Sequence, residues 1–237
     1  MKSLINVVSV SVFIMIATGC ETLDKEFAKF AGGGQGGLST DTIVAGLKEA
    51  LSTGTGNAVA QTSKVGGYWD NARLKILLPQ ELQKFGDTLR DIGLGSQVDS
   101  LEKKMNEGAE MAAKSAGPVF LDAIKGMSFS DAKSILSGND TAATDFFRAK
   151  TSDRLKAQYA PIIKKELDQV GAAKLYGALS QKYNLIPLVP KVNANLEDYV
   201  TQKALDGLFL VIADEEKKIR QDPAARTTEL LRKVFGN

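Results

Sequence analysis

The chain has 237 residues, 43% hydrophobic and 24% charged, a globular composition rather than a disordered one. With 30 Lys and Arg against 28 Asp and Glu, the formal net charge is only +2, so no concentrated basic face for nucleic acid is indicated. Histidine is absent and cysteine occurs once, which removes imidazole bases, Ser-His and Cys-His nucleophiles, disulfides within the chain and thiolate metal clusters.

The first element is apolar. Met1 and Lys2 give a positive start, and Leu4 to Ile16 is interrupted only by Asn6, Ser9 and Ser11. This run suits the core of a signal peptide and is shorter than the ~20 residues that span a bilayer. Ala17, Thr18, Gly19 and Cys20 follow it directly. Small residues before a cysteine at this place resemble the lipobox of bacterial lipoproteins, although Ala17 stands where Leu is usual. The resemblance implies cleavage between Gly19 and Cys20, a diacylglyceryl group on the Cys20 sulfur and acylation of the new amino terminus. At ~0.8 kcal/mol per buried methylene, several acyl chains such as palmitate make the anchor effectively permanent. Glu21, where inner-membrane lipoproteins of enteric bacteria typically carry Asp, implies the outer membrane. Residues 1–19 are therefore expected as signal peptide and 20–38 as a lipidated amino terminus with a Gly-rich tether. The glycines of "AGGGQGG" have too much backbone entropy to hold a helix, and neither a preceding strand nor a GK[ST] ending supports a phosphate loop.

From residue 39 to 237 the pattern predicts one all-α, single-domain, multi-helix bundle. Ser39, Thr40 and Asp41 are candidate caps for a helix carrying Ile43, Leu47 and Leu51. The segment "GYWDNARLKILLP" is the least helical part, and a short β-hairpin is the candidate exception near residues 66–78. Pro79 opens a helix through Leu82, Phe85 and Leu89. Another begins near Ser96, with Val98, Leu101 and Met105 on one face. Pro118 marks a kink or restart before "VFLDAIKGM". Ser128 or Ser130 caps "DAKSILS", which Gly138 stops. Asn139 or Asp140 caps a helix holding Phe146 and Phe147, and a separate helix is expected after Thr151 or Ser152, strained at Pro161. "NLIPLVPKVN" reads as a loop. "LEDYVTQKALDGLFLVIADEEKKIR" is the strongest helix, with Leu205 to Ala213 as its buried centre. Asp222 and Pro223 open a last helix.

Candidate sites are few. Charged runs such as "EKKMNEGAE" and "DEEKKIR" read as solvated helix faces. Within "ADEEKKIR", Glu215 and Glu216 point about 100° apart on a helix, so they do not share one catalytic or metal site. Glu216 and Arg220 stand four apart and are expected as a structural ion pair. Asp140 and Asp145 lack EF-hand spacing and read as helix caps. Tyr68 and Trp69 read as packing, with an exposed aromatic contact as the alternative. No catalytic residue, metal or cofactor is expected.

Three blocks, "MNEGAEMAAKSAGPVFLDAIKGM", "MSFSDAKSILSGNDTAATDFFRAKTSDRL" and "YVTQKALDGLFLVIADEEKKIRQDPAARTTELLRKVFG", resemble a bacterial family known only as domain of unknown function 4197, often predicted lipoproteins. The resemblance spans about Thr40 to Gly236 and implies a Gram-negative source and a helical domain, with no activity or catalytic residues to carry over. The expectation is an outer-membrane lipoprotein, held by its lipid anchor, whose periplasm-facing domain is a non-enzymatic module binding another envelope protein. The alternatives are a carrier of a lipid or small apolar ligand in an inter-helix cavity and a carboxylate-dependent hydrolase.

Overall fold

A computed structural model describes residues 39–225 other than 170, 186, 189–190 and 192–194, together with 228 and 232. Cys20, its flank Ala17, Thr18 and Gly19, the tether and most of the last expected helix lie outside the described residues. Among the described residues there is no strand. The helices are α1 (Thr40–Ser63), α2 (Gln80–Leu89), a π-helical turn (Arg90–Leu94), α3 (Gly95–Ala113), α4 (Ala116–Lys125), α5 (Phe129–Leu136), α6 (Ala142–Asp168), α7 (Ala172–Asn184) and α8 (Leu196–Gln221). No described helix is long and apolar enough to cross a membrane.

The core forms around α8, which packs against α1, α6 and α3. Its Val200, Ala204, Leu208 and Phe209 meet Leu47 and Ala58 of α1, Leu101 and Met105 of α3, and Phe147, Leu155 and Tyr159 of α6 in one continuous cluster. Phe120 of α4 stands edge-on to both Phe147 and Phe209, at centroid distances of 5.2 and 6.2 Å, a favoured aromatic geometry.

The local start signals act as expected where a hydroxyl meets a free amide. The Ser39 hydroxyl accepts from the Thr42 N–H at 3.2 Å. Ser128, rather than Ser130, caps α5, in a reciprocal box with Asp131. The hydrogen bonds of Ser128 to Asp131 hold that carboxyl below the usual carboxylate range. Asp222 accepts from the Ala224 N–H and opens a short 3-10 turn at Pro223–Ala225.

Two expectations are corrected. Residues 142–168 form one helix, not two. The Thr151 and Ser152 hydroxyls do not cap a new helix; they donate to the carbonyls of Phe147 and Arg148, four residues back, at 2.6 and 2.7 Å, which is compatible with continuous helix. The hairpin near 66–78 is absent. Its sequence does alternate, with Leu74, Ile76 and Leu78 buried and Arg73 and Leu77 exposed. The partner of this segment is the polar face of α3 instead of a second strand.

Candidate functional site

α3 places Glu102, Asn106 and Glu110 one above another at i, i+4 and i+8, all buried. Each serves the 66–78 segment. The Glu110 carboxylate accepts from the N–H groups of Gly66, Tyr68 and Trp69 at 3.1, 3.0 and 3.2 Å. Asn106 grips Ile76 twice: its Oδ1 accepts from the Ile76 N–H at 2.8 Å and its Nδ2 donates to the Ile76 carbonyl at 2.7 Å. Glu102 accepts from the Leu78 N–H at 3.1 Å and pairs with Arg90 at 3.0 Å. One side-chain ladder thus replaces a neighbouring strand.

The segment is pinned on its other side by α8. The buried Tyr68 hydroxyl donates to the Ala204 carbonyl at 2.6 Å. Gly207 makes room for that ring, since a Cβ there would meet Tyr68 Cε1 at 2.8 Å. The Tyr199 hydroxyl donates to the Leu77 carbonyl at 2.9 Å, and Arg73 forms a two-pronged pair with Asp214, which raises the guanidinium pKa.

Glu216 and Arg220 sit at the other end of α8. Glu216 accepts from the N–H groups of Ala143 and Thr144, both at 2.9 Å, and from the Thr144 hydroxyl at 2.8 Å. A carboxylate from α8 therefore caps the positive end of α6, where Thr141 itself makes no side-chain cap bond. Asn139 turns its Oδ1 to the Thr141 N–H, and Asp140 takes Gln221. Arg220 lies against Glu216 at 2.9 Å and also donates to the Ile135 carbonyl at 2.8 Å. The neighbouring Glu215 points elsewhere, to Asn57 of α1 at 2.9 Å and to Lys218. The two carboxylates do not converge.

These clamps shape one feature. The 73–78 segment, the start of α6 and the Tyr199–Ala213 stretch of α8 enclose an open groove of about 650 Å³. Leu77 and Leu210 give it apolar surface, and Arg73, Lys75, Arg148 and Lys203 line it with positive charge. Its acidic side chains are engaged: Asp145 accepts from the Thr141 hydroxyl, and Asp206 accepts from Gln202 and lies 4.0 Å from Arg148. Arg148 covers the Phe209 ring at 4.5 Å. Lys75 and Lys203 have no carboxylate partner among the described residues; they lie over Trp69 and Tyr199, at 3.5 and 5.9 Å from the ring centroids. Tyr68 belongs to packing, and Trp69 carries the aromatic contact. Smaller spaces of about 320 Å³ between α3 and α7 and about 270 Å³ beside α4, α5 and α6 lie elsewhere, and a cavity between α1, α5, α6 and α8 has about 20 Å³, room for about one water. No three Cys, Asp or Glu side chains gather as a metal-ligand set among the described residues.

The residues that build the groove walls were concealed in the runs expected as solvated faces. Glu102, Glu110, Glu215 and Glu216 are buried, whereas Lys103 and Lys217 are exposed. The usable signal was phase: Glu102, Asn106 and Glu110 fall on the same turns as Val98, Leu101 and Met105.

Residues 37–236 match a family model described as "Protein of unknown function (DUF4197)". No curated protein and no solved structure matches the chain.

Proposed function

The chain belongs to the DUF4197 family of proteins of unknown function, and from that premise we propose that it is an outer-membrane lipoprotein whose periplasm-facing helical domain is a non-enzymatic module that binds another envelope protein in the groove beside α8. The observation that carries the binding half is the groove itself. It is open, lined by both apolar and charged side chains, and its walls are clamped by buried side chains on α3 and α8. Its ionisable groups are spread along the length and engaged in pairs or over rings, an arrangement suited to holding a chain rather than to attacking a bond. The lone cysteine behind an apolar run carries the anchoring half. A carrier site between helices finds less support: the spaces of about 320 Å³ between α3 and α7 and about 270 Å³ beside α4, α5 and α6 are lined in large part by polar or charged side chains, and the apolar cavity between α1, α5, α6 and α8 has only about 20 Å³.

Two experiments test the halves separately. Cells fed labelled palmitate should mark the wild-type chain and not Cys20→Ser, which should also leave the membrane fraction. Label in the Cys20→Ser chain would refute lipid attachment. A photo-cross-linking residue at Leu77 should give one discrete adduct in envelopes, and the same residue at Lys103 none. Equal, diffuse adducts at both positions would refute the groove as a binding site.

A further inference from the structure

We propose that the outer edge of the 75–77 backbone is a strand-addition site, which takes an extended acidic segment of a partner protein. The proposal rests on the binding-module reading and specifies how the groove binds.

Asn106 bonds both the N–H and the C=O of the same residue, Ile76. Both groups of one residue point to one side only when the backbone is extended, as in a strand. The N–H of Leu78 points the same way, to Glu102. In extended backbone the groups of the residues between them point to the opposite edge. The Leu77 carbonyl does so: it receives the hydroxyl of Tyr199, which lines the groove. On that edge the Lys75 N–H donates to the Asn71 carbonyl at 2.8 Å, while the Leu77 N–H and the Lys75 C=O have no hydrogen-bond partner among the described residues. One donor and one acceptor therefore face the groove from a backbone that α3 already holds in strand form. An incoming strand would pair with these two groups, and main-chain bonds of this kind are the source of affinity in strand addition.

The side chains select the partner. An added strand presents alternate residues to one face. The groove offers apolar contact at Leu77 and Leu210, and the ammonium groups of Lys75 and Lys203 stand over rings without carboxylates of their own among the described residues. Its own acids are occupied by Thr141, Gln202 and Arg148. The complementary strand alternates acidic with apolar residues. Its acidic side chains reach the lysines while its apolar ones cover Leu77 and Leu210.

The test uses a fluorescent octapeptide of alternating Glu and Val, a version N-methylated at every second amide, and an alternating Lys and Val peptide. Each is titrated into the folded chain by fluorescence anisotropy. The Glu-Val peptide should bind, more weakly as salt rises. N-methylation on the pairing edge should weaken it about tenfold or more, the worth of one to two hydrogen bonds. The Lys-Val peptide should not bind. Leu77→Pro and Leu77→Ala both lose the Leu77 side chain, but only Leu77→Pro deletes the free N–H, without removing an internal hydrogen bond; the Pro variant should bind the Glu-Val peptide about tenfold more weakly than the Ala variant, and equal binding by the two would overturn the proposal. The Leu77 amide should exchange more slowly with solvent when the peptide is bound. If the Pro variant fails to fold, the N-methylated peptide answers the same question. Failure of the Glu-Val peptide to bind, equal binding of both methylation states, or unchanged Leu77 exchange would overturn the proposal. Should the Leu77 cross-linker still capture one discrete partner, the binding-module reading stands and only strand addition falls.

Discussion

Replacing Asn106 by Ala isolates the clamp on the groove wall. Asn106 is fully buried, and Ile76 is 3% exposed. Truncation removes the acceptor for the Ile76 N–H at 2.8 Å and the donor to its carbonyl at 2.7 Å. An orphaned buried polar group costs about 1–3 kcal/mol, so the two together predict a loss of about 3 kcal/mol, in the lower half of their summed range. With a urea dependence of about 2 kcal/mol per molar for a domain of this size, the unfolding midpoint should fall by about 1.5 M. The control is Lys103→Ala, an exposed position on the same helix, expected within about 0.5 kcal/mol of wild type. Urea titration followed by helical circular dichroism measures both, and hydrogen exchange at the Ile76 amide should accelerate in the Asn106 variant alone. A midpoint for Asn106→Ala no lower than that of Lys103→Ala would refute the claim that this side chain stands in for a strand.

Three further outcomes follow from other contacts. Glu216→Gln leaves Arg220 without its charge partner and weakens the cap on α6, and should cost about 2–4 kcal/mol by the same titration; Arg220→Ala combined with Glu216→Gln should cost clearly less than the sum of the single changes, and strict additivity would count against the coupling of α5, α6 and α8 through this pair. Gly207→Ala drives a methyl into the Tyr68 ring, at 2.8 Å from Cε1, and should cost about 1–3 kcal/mol in thermal or urea unfolding; a neutral effect would mean that the ring is not held on α8. Burial raises the Tyr68 pKa well above its usual value, with smaller contributions from Tyr159, Glu110 and Asp206, and burial also raises Tyr159. Because the folded pKa exceeds the unfolded one, this stabilisation is fully present below about pH 10, where free tyrosine begins to ionise, and is lost as pH rises above it toward the folded values. Tyrosinate absorbance from these two rings should appear only together with loss of helical dichroism; full ionisation of every tyrosine in a still-folded chain would refute it.

Sequence alone determined the helical class, most helix starts and the buried centre at Leu205 to Ala213, because those signals act within a turn or two. Ser39 caps Thr42 and Ser128 caps Asp131 across three residues, and the apolar phase of α8 is visible in any window of its own length. The alternation from Arg73 to Ile76 is legible in the residues themselves, and the four-residue spacing puts Glu216 and Arg220 on one helical face. Tertiary structure decided what these features meet. The acceptor that makes the 73–78 segment extended lies 30 residues on, at Asn106, and the carboxylate that caps Ala143 lies 73 residues on, at Glu216. A free amide looks the same in sequence whether a strand, a side chain or water will satisfy it; only the packing of α3 and α8 against the segment selects among them. For the same reason the glutamates of "EKKMNEGAE" and "DEEKKIR" looked solvated: their charge argues for water, and burial becomes tolerable only where folded backbone amides and arginine converge on them. The groove, and with it the free N–H of Leu77, exists only after those long-range partners are in place.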